Sequence, residues 1–177
     1  MKLHRAFVCA VLLAGCESAP NEPAPSGSTT AEGAETAAVE NEPGSGRPTS
    51  LDHLGLAVRD LEATKNFFVE ALGFRVTNED ADYPSAFVVN GHTRITLWQV
   101  EDPETAAAFD RRQNVGLHHF ALSVGSRAVL EEMHQRIRRY SGATIEFAPE
   151  PLGSGPSHHM MFRDPSGIRM ELIHRVP

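Results

Sequence analysis

The chain has 177 residues, 41% of them hydrophobic and 22% charged, with a formal net charge of −7. A chain of this length buries one ordinary core, which argues for a single folded domain. An acidic balance with no basic cluster gives no electrostatic footprint for nucleic acid.

In chain order, Lys2 and Arg5 precede an apolar run from Ala6 to Leu13 that is too short to cross a bilayer as a helix, so it reads as a signal peptide. The run ends in Leu13-Ala14-Gly15-Cys16, which resembles a bacterial lipobox. That resemblance implies cleavage before Cys16, lipid on its thiol, and a lipid-anchored protein of the bacterial cell envelope. Of the two cysteines, Cys9 then leaves with the peptide and Cys16 is blocked, so neither disulfides nor thiol nucleophiles remain. Residues 17–50 carry five prolines, four glycines and six glutamates against the single Arg47, with no aromatic residue, and read as a disordered acidic tether. The tether holds −5 and the first sixteen residues +2, which leaves −4 on residues 51–177.

Residues 51–177 contain two similar halves. Leu51 to Val58 resembles Gly116 to Val124: a histidine is followed by alternating apolar and small residues, the pattern of a short strand. Asp60 and Ser126, at the same offset from these histidines, are helix N-caps. The first helix aligns Leu61, Thr64, Phe68 and Leu72 on one stripe and stops at Gly73, and the second aligns Val129, Leu130, Met133 and Ile137 and stops at Gly142. Strands are expected at 74–77, 85–90 and 94–100 in the first half, the last two joined by Asn90-Gly91. In the second they are expected at 143–147, 158–163 and 168–174, with Asp164-Pro165-Ser166-Gly167 as the turn. Between the halves, Asp102 and Pro103 open a short helix through Phe109, and residues 110–116 form the crossover. The fold class is α+β: two βαβββ modules in one domain, with a concave sheet pocket.

Alternation places His53, Gly55 and Ala57 on one face of the first strand and His119, Ala121 and Ser123 on the equivalent face of the fifth. His118 is expected to face the helices. Glu171, flanked by Met170 and Leu172, projects a carboxylate opposite the helix-facing pair, where a cation is one natural partner. Thr96, Trp98, Arg94 and Ser123 line the same side as candidate substrate-pocket residues. Of His158 and His159, alternation puts one in the pocket as a candidate acid or base, and the hairpin register decides which.

Residues 51–175 resemble the vicinal-oxygen-chelate superfamily, which includes glyoxalase I, extradiol dioxygenases, fosfomycin-resistance thiol transferases and bleomycin-resistance proteins. The stretch Phe162 to Gly167 resembles the superfamily's usual turn before the last strand. The resemblance implies one divalent metal held by His53, His119 and Glu171. One position departs: Thr96 stands where glyoxalase I has a glutamate that binds metal and moves a proton, which weighs against isomerase chemistry more than against metal binding. The expected function is a metal-dependent enzyme, a lyase or a dioxygenase- or thiol-transferase-like enzyme, acting on a small oxygen-chelating substrate. The alternative is a non-catalytic lipoprotein that sequesters a small molecule, as bleomycin-resistance proteins do. Iron, manganese, zinc, nickel and cobalt all accept two histidines and a glutamate. The two modules can close on each other in one chain or pair across a homodimer.

Overall fold

The structure is a computed structural model that describes residue 48 and residues 50–177. The signal peptide, Cys16 and nearly all of the tether lie outside the described residues. Within them, no helix is long and apolar enough to cross a membrane.

The first half contains β1 (Leu54–Val58), α1 (Leu61–Asn66), β2 (Arg75–Asp80), β3 (Ser85–Asn90) and β4 (Thr93–Gln99). The second contains β5 (Phe120–Ser123), α2 (Arg127–Arg139), β6 (Thr144–Pro151), β7 (His158–Arg163) and β8 (Arg169–His174). The strands form two four-stranded sheets, β1-β4-β3-β2 and β5-β8-β7-β6, with the outer pairs β1/β4 and β5/β8 parallel and the rest antiparallel. The two βαβββ modules read from the repeat are therefore present.

Both helices start where a side-chain oxygen meets the free amides of the first turn. Asp60 accepts from Ala63 N at 2.9 Å and Ser126 from Val129 N at 3.2 Å. After Asn66 the first helix widens into a π-helical turn, Phe67–Ala71, in which Leu72 N reaches back to Phe67 O at 3.3 Å. This turn carries Phe67, Phe68 and Ala71 into the core. Gly73, at φ 74°, then reverses the chain in a conformation that an L side chain rarely adopts.

One hydrophobic core serves both modules. Phe67 packs edge-on to Tyr140 at 5.2 Å and near Phe162 at 6.0 Å, while Leu97 of β4, Leu130 of α2 and Met170 of β8 are fully buried. The turn before β8 adds a polar weld: Ser166 Oγ receives Arg59 N at 3.1 Å and lies 2.8 Å from Thr64 Oγ1 at the start of the first helix.

Three expectations are corrected. The segment after Pro103 is not a helix but a series of turns. Asp102 caps Glu104 N and Thr105 N, and Ala106 N reaches Asp102 O at 3.0 Å. The carbonyls of Pro103 and Ala106 that a longer helix would use are taken by the Arg59 guanidinium, which holds that segment down. The first strands of the halves begin at Leu54 and Phe120, so His53 and His119 each stand just before a strand rather than within it. His118 does not face the helices: it is exposed, with Nδ1 2.7 Å from His119 Nδ1.

Candidate metal and substrate site

Strand register arranges the open face of each sheet in rows. In the first module Gly55 pairs with Thr96 and Thr96 with Phe87, while Arg94 pairs with Val89 and Val89 with Arg75. In the second, Ala121 pairs with Glu171 and Glu171 with Met161, while Arg169 pairs with Arg163. Thr96 and Glu171 thus occupy equivalent positions, each beside a small residue of the first strand. That small residue is needed in the first module, because a Cβ on Gly55 would lie 3.3 Å from Thr96 Oγ1.

His119 and Glu171 come together. Nε2 of His119 lies 3.2 Å from Oε2 of Glu171, and the carboxylate, 7% exposed, receives His159 Nδ1 on its other oxygen at 2.7 Å. The β7/β8 register decides between the adjacent histidines. His159 pairs with Ile173 on the Glu171 face, whereas His158 pairs with His174 on the helix face and bonds Pro156 O at 2.9 Å. Ser123, paired with Ile173, is exposed at the end of β5 on the open face.

His53 stands elsewhere. Its Nδ1 is 2.8 Å from Asp52 Oδ1, and it lines a crevice of about 240 Å³ with Leu54, Phe120 and Ala121, on the bank opposite β5. No hydrogen bond or ion pair among the described residues joins it to His119 or Glu171, and no group of three histidine, cysteine, aspartate or glutamate side chains among them is arranged to hold a metal ion. His53 and His119 share one feature: Nδ1 is tied to the residue just before, Asp52 or His118, which leaves Nε2 outside that tie. Such a partner fixes the tautomer and ring orientation of a ligating imidazole. Of the three expected ligands, the structure brings His119 and Glu171 together and leaves His53 apart from them.

Two arginines flank this face. Glu146 sits between Arg169 Nε at 2.7 Å and Arg163 Nε at 2.8 Å. Burial pulls the Glu146 pKa upward, but the two guanidiniums outweigh it and hold the carboxyl below its ordinary range. Around His118, loss of solvent, then the charges of His119, Arg169, Arg111 and Arg112, hold the imidazole below the usual histidine value. In the first module Arg94 reaches Asp52 at 3.4 Å, and Trp98 donates to Thr96 Oγ1 at 2.9 Å. The roles of Arg163, Glu146 and Asp52 were not read from the sequence. The signal for Asp52 was its adjacency to His53, whereas Arg163 and Glu146 needed the register.

Paired βαβββ modules with open faces bearing imidazole, carboxylate and guanidinium groups make up a repeated α+β scaffold. The profile of the Glyoxalase/Bleomycin resistance protein/Dioxygenase superfamily matches residues 50–172, and the chain belongs to that superfamily. A protein of Bacillus subtilis (strain 168), designated uncharacterized protein YwkD, is 30% identical over 132 residues, which cover 70% of this chain and 94% of its own. A second from the same strain, uncharacterized protein YqjT, is 25% identical over 128 residues, 70% of this chain and 97% of its own. Among solved structures, a glyoxylase/bleomycin resistance protein/dioxygenase domain from Frankia sp. EAN1pec is similar at 25% identity and a TM-score of 0.63, over 73% of this chain and all of that one. The fosfomycin resistance protein FosX from Listeria monocytogenes shares the fold at 20% identity and a TM-score of 0.59, over 73% of this chain and 96% of its own.

Proposed function

We propose that the chain is a divalent-metal-dependent enzyme of this superfamily that acts on a small substrate through two vicinal oxygens, from a lipid anchor at Cys16 on the cell envelope. The observation that carries the reading is the convergence of His119 Nε2 and Glu171 Oε2 at 3.2 Å on an open sheet face, each group oriented from behind by another histidine. His119, Glu171 and His53 are the residues that would hold the ion. When bound, it would act as a Lewis acid toward substrate oxygens on which negative charge develops.

The protein's own groups have distinct parts. His159, bonded to Glu171 and packed 5.1 Å from the Phe147 ring, orients the carboxylate and is the candidate proton carrier on that face. Thr96, 3% exposed and accepting from Trp98, is no carboxylate base, so a glyoxalase-type proton transfer at that position is disfavoured. Chemistry of the dioxygenase or thiol-transferase kind leaves that position free.

The test is elemental analysis and metal titration of the purified chain beside His53→Ala and Glu171→Ala. The expected result is stoichiometric metal in the parent and its loss in both variants. Absence of metal after reconstitution would sink the reading and favour a sequestering protein that binds without turnover.

A further inference from the structure

The open face of the first module forms a pocket of about 940 Å³, lined by Arg75, Arg94, Phe87, Thr96 and Trp98 together with Asp52 and His53. It falls within the range of roughly 300–1,000 Å³ usual for small-molecule sites. Its chemistry is graded along the strands. One row carries two cations, Arg75 and Arg94, on either side of Val89. Arg75 has no ion-pair partner among the described residues, and Arg94 has only the exposed Asp52, at 3.4 Å. The next row sets Phe87 beside Thr96, and the one after that brings in Trp98, whose ring lies 5.7 Å from Phe87 and 5.1 Å from Tyr83.

The two aromatic rings, Phe87 and Trp98, would attract a cation if they stood alone, but two guanidiniums on the same face repel one. The face therefore suits an anion with a flat apolar body. Adjacent rows along a strand lie about 7 Å apart, so a ring over Phe87 and Thr96 places an acid group attached to it at the arginine row. Gly55 keeps the floor open, since a side chain there would crowd Thr96 and Trp98. The Thr96 oxygen already accepts from Trp98, which leaves its hydroxyl proton to donate to a ligand oxygen.

We infer that this face binds an aromatic anion, an aryl carboxylate or phosphonate, with its ring against Phe87 and Trp98 and its acid group between Arg75 and Arg94. As the substrate class of the enzyme this rests on the metal reading above. As a binding site it does not, because none of these contacts needs the ion.

Trp98 is the single tryptophan of the chain, so its fluorescence reports this pocket alone. The full chain is titrated in excess chelator with phenylphosphonate, methylphosphonate and benzyl alcohol. A saturable change with phenylphosphonate is expected, with binding weakened roughly tenfold or more by Arg94→Gln or Arg75→Gln, each exposed, as follows from losing a charge-assisted hydrogen bond. Arg138→Gln, a charge-matched control on the exposed face of α2 in the other module, leaves it unchanged. Calorimetry of Trp98→Leu, which removes the ring, shows weaker binding. The inference is overturned by no saturable change, by benzyl alcohol binding as tightly, or by methylphosphonate matching phenylphosphonate. Loss of metal binding with retained phenylphosphonate binding would instead overturn the metal reading alone.

Discussion

Asp164 is 1% exposed, and its Oδ2 is buried with no partner among the described residues, while Oδ1 accepts from Ile168 N at 2.8 Å. Burial raises its pKa to about 7 against 3.8 for the free group, despite the amides of Ile168, Ser166 and Gly167 that favour the anion. The folded state therefore holds the proton more tightly than the unfolded state between these values. Its penalty is absent below about pH 4, grows as pH rises and is complete above about pH 7, worth on the order of 2–4 kcal/mol. Urea unfolding of the parent and of Asp164→Asn across pH 5 to 8 isolates it: the parent loses stability relative to the variant as pH rises. A difference that stays constant with pH would rule this out. His118 carries a separate prediction. If its bond to His119 fixes the ligating tautomer, His118→Ala weakens metal binding roughly tenfold or more while leaving the fold intact, by titration and melting temperature. Equal affinity in the two proteins would make His118 a bystander.

At the scale of elements, the helix starts were legible because capping needs only a side-chain oxygen and an amide three residues on, and both Asp60 and Ser126 make that bond. Ser126→Ala is expected to cost about 1 kcal/mol, read as a lower urea midpoint at unchanged slope. The strands were legible from alternation, and the Thr96–Glu171 equivalence from the repeat. Other features depended on distant partners. The π-turn at Phe67–Ala71 carries Phe67 onto Tyr140 and Phe162 of the other module, which no local periodicity reports. The choice of His159 over His158 rests on its pairing with Ile173, fourteen residues on in sequence and set by the turn at Asp164. The helix expected after Pro103 stops at its first turn because the distant Arg59 takes the Pro103 and Ala106 carbonyls that the next turn would use. For the candidate site, the sequence singled out His119 and Glu171 as site members, but not the tie of His53 to Asp52 or the clamp of Arg163 and Arg169 on Glu146.

On the scale of the whole molecule, the repeat does not make two independent folding units. Phe67 of the first module is fully buried against Tyr140 and Phe162 of the second, and Ser166 welds the turn before β8 to the start of the first helix. Neither module keeps a complete apolar face when the other is removed, so the two should unfold in one cooperative step. Two signals compare them: Trp98 fluorescence reports the first module alone, while far-UV helical ellipticity adds the 13 residues of α2 in the second to the 6 of α1 and 5 of the π-turn in the first. In the parent the two denaturation curves are expected to coincide. Phe67→Ala removes a large side chain from the shared core and should cost about 3–5 kcal/mol, as is usual when a buried phenylalanine is cut to alanine. Because the lost contacts belong to both modules, the variant's two curves should move together. If fluorescence fell early while the helical signal held its midpoint, the modules would be separable, and the shared core would be packing without coupling.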